Sequence, residues 1–182
     1  MMIRTWLLSI IQLTPLYLFF GYAVWTGEAD NSRWIIAYKI SSIAALLGFI
    51  VLIVKPRPAN RFILAIYTYL ILGGLAAYSH QWWLLRIYKE HREAALIMTV
   101  LVIGIFSTLF SKGGFLGVVT SCQLSRAKAS STLLITTLCC LAFSINFTGN
   151  TLLAGYLPFM LLLFVQRYLS NKQSSMENFN EA

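Results

Sequence analysis

Five side chains have the type and position to carry chemistry: Lys39, His80, Arg86, Glu90 and His91. Lys39 is the only fully charged residue inside the long apolar run 34–54. An ionisable side chain at membrane depth is by default a candidate contact for an ion or substrate. Lys39 lies five residues from Trp34, a helical rise of about 7–8 Å. A lysine stem covers that distance, so its ammonium is expected to snorkel to the interface, where Glu28 or Asp30 could pair with it. His80, Glu90 and His91 would together make a general acid–base group. His80 and His91 supply two imidazoles but no evident third ligand, so no metal site is expected. In the segment 86–93, Arg86/Glu90 and Lys89/Glu93 stand at i,i+4 spacing with the base first, the weaker orientation. The segment reads as the solvated start of a helix, or as a docking loop for a partner outside the membrane.

Other chemistry is harder to build. The chain has no H-E-x-x-H, G-x-S-x-G or P-loop pattern. Its single aspartate, Asp30, rules out catalysis through paired aspartates on a metal. No carboxylate is expected inside any span, so no Asp/Glu proton relay is expected either. Cys122, Cys139 and Cys140 contain no C-x-x-C pair and read as small packing residues. No cofactor is expected.

The elements that must position these groups follow from composition. Of 182 residues, 58% are hydrophobic and 11% charged, whereas soluble domains carry about 25% charge. A soluble fold of this size cannot hide so much apolar surface, and disorder needs the opposite composition. A bilayer core of roughly 30 Å takes about 20 apolar residues per helix. The spacing of the charge-free runs predicts an all-α polytopic membrane protein, a bundle of about six transmembrane helices over 5–26, 34–54, 62–83, 94–111, 129–145 and 151–169. The last two divide one charge-free stretch, 129–166, at the turn signal Asn146-Phe147-Thr148-Gly149-Asn150. The runs are too continuous for barrel strands. Residues 1–170 are expected to form one domain and 171–182 a polar tail. The short apolar piece 113–125 reads as an interfacial or re-entrant helix. Ala44/Gly48 and Gly73/Ala77 are small-xxx-small steps that let helices 2 and 3 approach closely. Pro15 and Pro158 should bend their helices.

Charge sets the expected orientation. Under this topology one face collects nine basic residues: Arg4, Lys55, Arg57, Arg61, Lys112, Arg126, Lys128, Arg167 and Lys172. The other collects five, namely Arg33, Lys39, Arg86, Lys89 and Arg92, and also holds four of the six acids. The richer face is expected to be cytoplasmic, with both termini on it. Trp25, Trp34, Trp82 and Trp83 then fall at outer helix ends and Trp6 at an inner one, the headgroup depth that indoles favour. A bacterial cytoplasmic membrane fits this pattern. The run after Arg4 is too long for a cleaved signal peptide. The net charge of +8 serves insertion and contact with anionic lipid. It is spread over separate loops, which argues against nucleic acid. The expected partners are the lipid bilayer and a membrane protein or second copy of the chain. Asn146-Phe147-Thr148 matches a glycosylation acceptor, but in a loop too tight for use. No family signature emerges from the spans.

These readings favour a non-catalytic accessory, assembly or immunity-type membrane protein. A small transporter or channel subunit comes second. A membrane-embedded enzyme using His80, Glu90 and His91 comes third.

Overall fold

In a bilayer every backbone N–H and C=O must find its partner within the protein, and a long apolar run does so as a helix. The computed structural model follows that rule. It describes the backbone of residues 2–24, 31–54, 60–111, 113–117 and 123–180. Side chains are described for the same residues except 2–11, 24, 31, 53, 92, 123–126, 151 and 173–180. The helices are α1 (Met2–Val24), α2 (Asn31–Val54), α3 (Arg61–Tyr78), α4 (Trp82–Phe110), α5 (Gln123–Asn146) and α6 (Leu157–Asn180), with a π-helical segment, Thr151–Tyr156, leading into α6. No strand occurs among the described residues. Five segments are long and apolar enough to cross a membrane: Ser32–Leu52, Arg61–Tyr78, Glu93–Phe110, Ala127–Asn146 and Leu152–Lys172. With the 23-residue α1 they give the expected all-α, multi-pass architecture of about six long helices.

Three boundaries differ from the sequence reading. Helix α3 stops at Tyr78, and α4 starts already at Trp82. The segment 86–93 is therefore the exposed start of a helix, the first of its two sequence readings, and not a loop. The stop is a Schellman closure: the Gln81 N–H reaches the Ala76 carbonyl at 2.9 Å, with His80 left-handed at φ 55°. The piece 113–125 is not one interfacial helix. Residues 113–117 form a turn, 118–122 lie outside the described residues, and α5 begins at Gln123. Gly114 and Gly117, at φ 59° and 71°, adopt a conformation that ends a helix and that glycine takes without steric cost. Finally, 171–180 continues α6, since no glycine or proline interrupts it.

The chain divides into two compact units, Met1–Pro56 with Ile63–Glu90, and Arg57–Phe62 with His91–Ala182. The first unit has an aromatic core. Phe19 of α1 meets the rings of Trp34 and Tyr38 of α2 at 5.3 and 4.6 Å. Tyr38 in turn meets Tyr69 of α3 and Tyr88 of α4 at 5.9 and 5.8 Å. Small residues make room for these rings. A Cβ on Gly73 would collide with the Tyr38 ring, and one on Gly48 would lie 2.7 Å from Tyr67. Thus each small-xxx-small step contributes a glycine to the α2–α3 seam. The Tyr67 hydroxyl donates to the Gln12 carbonyl of α1 at 2.9 Å, three residues before Pro15.

In the second unit, Phe115 of the glycine turn is buried against Gly104 of α4. Its N–H donates to Ser130 Oγ of α5 at 3.2 Å. The π-helix has a local cause. Pro158 has no N–H to offer the Ala154 carbonyl, so the Leu157 N–H closes back on Leu152. The Ser144 hydroxyl of α5 donates to the orphaned Ala154 carbonyl at 2.7 Å. The π-helical turn before Pro158 and the pairing of α5 with α6 are in this way one arrangement.

Candidate functional site

Lys39 is half-buried on α2, and its ammonium sits 5.3 Å from the centroid of the exposed Tyr78 ring. This cation–π contact holds the charge over an aromatic face at the end of α3. Tyr38, its neighbour in sequence, points into the aromatic core and is buried. The two side chains thus diverge.

Arg86, Glu90 and His91 are exposed on the N-terminal part of α4. His80 is exposed in the preceding turn, and its ring neighbour is Trp82, at 5.5 Å. Among the described residues no three His, Cys, Asp or Glu side chains converge in a way that could hold a metal. Tyr88, on the other side of this helical stretch, stacks on Tyr69 at 4.9 Å. Burial pushes its phenol up to about 12, because a phenolate would lose hydration there.

Two polar groupings escaped the sequence reading. The first is in the second unit, where α3 begins and α4 ends. Asn60 Oδ1 accepts the Phe62 N–H at 3.0 Å and Gln166 Nε2 at 2.7 Å. Beside it in sequence, Arg61 donates through Nη2 to Ser111 Oγ at 2.8 Å. Ser111 Oγ also accepts the Gly113 N–H at 3.4 Å. The Arg61 Nε is shielded from solvent and meets no acceptor. Separations of 50 and 106 residues hide this group from any local pattern.

The second grouping centres on Glu93. The sequence reading kept carboxylates out of the spans, yet Glu93 opens the segment Glu93–Phe110. Its Oε2 is shielded and has no partner. Its side chain lies over Gly155 of the π-helix, where a Cβ would come within 2.8 Å of the Glu93 Cγ. The glycine is what lets the acidic side chain lie flat there.

Compared with protein-family models, with curated proteins and with solved structures, the chain matches none.

Proposed function

We propose that this chain is a non-catalytic accessory, assembly or immunity-type membrane protein that works through helix and loop contacts. One observation carries this reading: many of the hydroxyls within the spans are spent on a carbonyl of their own helix or on each other. Ser41 donates to Ala37, Thr68 to Leu64, Thr99 to Ala95 and Thr137 to Leu133, each within its own helix. Tyr38 pairs with Tyr69. A hydroxyl bonded back to its own helix has its donor engaged there and not turned to a substrate. The exposed start of α4, with Arg86, Glu90 and His91, is the surface offered to a partner. Crosslinking in native membranes followed by pull-down tests the reading. A stoichiometric membrane-protein partner supports it, and recovery of the chain alone overturns it. Placement in a bacterial cytoplasmic membrane with both termini inside belongs to the same proposal. Reporter fusions after Pro58 and Ser174 should then read cytoplasmic, and fusions after Asp30 and Gln81 external.

Glu93 favours a second reading, a small transporter or channel subunit. A desolvated carboxylate oxygen at the mouth of a span is where a proton or small cation would be held. Proton or cation flux in proteoliposomes that vanishes in Glu93→Gln would support it. Identical flux in liposomes with and without the protein would remove it.

A further inference from the structure

We propose that Asn60, Arg61 and Ser111 form a binding site for a phosphate group, supplied by the headgroup of an anionic phospholipid. The argument is a count of donors and acceptors. Asn60 Oδ1 and Ser111 Oγ are the acceptors the cluster uses, and each already takes two N–H groups; Gln166 adds one further acceptor, its Oε1, against the four N–H bonds Arg61 has left. What is left over is donors. Arg61 carries five N–H bonds and spends one on protein, at Ser111. With both lone pairs of Ser111 Oγ engaged, its own O–H proton is available to an acceptor, and so is the Asn60 carboxamide NH2. Among the described residues Arg61 meets no carboxylate, and its Nε is buried without an acceptor. A permanently charged guanidinium that is partly desolvated and unpaired is costly. The group that would complete it is anionic, bears several acceptor oxygens and matches a planar fork. Phosphate has that chemistry.

Position selects the source. Arg61 is the first residue of the apolar segment Arg61–Tyr78, and Ser111 directly follows Glu93–Phe110. Both therefore stand at the boundary between hydrocarbon and headgroups, the depth of lipid phosphate. Phe62, next in sequence, is buried and packs on Phe159 at 5.2 Å, which anchors the backbone that presents Arg61.

Native mass spectrometry of the full-length protein in detergent, titrated with phosphatidylglycerol, tests the proposal. Wild type should retain a tightly bound lipid. Arg61→Gln should weaken its retention about ten-fold and Ser111→Ala about three-fold, as expected for charge-assisted and neutral hydrogen bonds. Arg61→Lys should fall between wild type and Arg61→Gln, because it keeps the charge and loses the fork. A neutral glycolipid without phosphate should not occupy the site. Equal retention by wild type, Arg61→Gln and Ser111→Ala overturns the proposal. Displacement of the lipid by millimolar inorganic phosphate, with the same Arg61 dependence, overturns the lipid assignment and makes free phosphate the ligand. If Arg61→Gln fails to insert, Ser111→Ala decides alone.

Discussion

The Tyr38 and Tyr69 hydroxyls lie 2.6 Å apart, joining α2 to α3 in the interior of the first unit. Around them the rings of Phe19, Trp34 and Tyr88 exclude other partners from Tyr38. Tyr69→Phe leaves the buried Tyr38 hydroxyl unpaired, which should cost about 1–3 kcal/mol. The double variant Tyr38→Phe/Tyr69→Phe removes both polar groups at nearly constant shape and should be more stable than Tyr69→Phe. Thermal unfolding in detergent measures the cycle. A double variant less stable than Tyr69→Phe would show that the pair is not what makes the single change costly.

Gly73 and Gly21 should respond oppositely to alanine. At Gly73 a Cβ collides with the Tyr38 ring, whereas at Gly21 nothing lies within 4 Å. Alanine brings a helix-propensity gain of up to about 1 kcal/mol, and overpacking costs about 1–3 kcal/mol. Gly73→Ala should therefore lower the melting temperature and Gly21→Ala should hold or raise it. Equal shifts would mean that the Gly73 contact yields without strain.

Ser144 and Pro158 should be coupled through the Ala154 carbonyl. Ser144→Ala removes that carbonyl's donor and should destabilise by about 1 kcal/mol. In a Pro158→Ala background residue 158 regains an N–H, so adding Ser144→Ala should cost much less. The coupling energy from the four proteins is the readout, and additive effects would refute the compensation.

Tyr88 gives a pH test. Its phenol is raised by burial to about 12, against about 10 for an exposed tyrosine. The neutral form is thus favoured in the folded protein. Its contribution is full below pH 10 and lost as pH rises from 10 through 12. Tyr88→Phe should delete one late ionisation step from the ultraviolet phenolate titration and blunt the stability loss over that window. An unchanged titration would mean that Tyr88 does not ionise late.

His80 shows where local sequence gives out. It stood out as a titratable group that could do acid–base work, yet its place is a left-handed helix stop beside Trp82. Nothing in its neighbours demanded that conformation, since glycine or asparagine is the usual residue there. Lys39 was legible only in part. Its charge stood out in an apolar run, but its contact with the Tyr78 ring, 39 residues on, had no local signal.

Composition and run length by themselves determined the class: about six apolar helices, a turn at 146–150 and glycine seams on α2 and α3. Those features depend on hydration and on backbone self-satisfaction in lipid, which act residue by residue along the chain. Only the tertiary structure decided which polar groups meet. Asn60 with Gln166, Arg61 with Ser111, Ser144 with Ala154 and Glu93 over Gly155 are all contacts between separate elements. Such contacts depend on how each helix is rotated about its axis. That rotation is fixed by packing against neighbours, which a nearly uniform apolar sequence leaves unmarked.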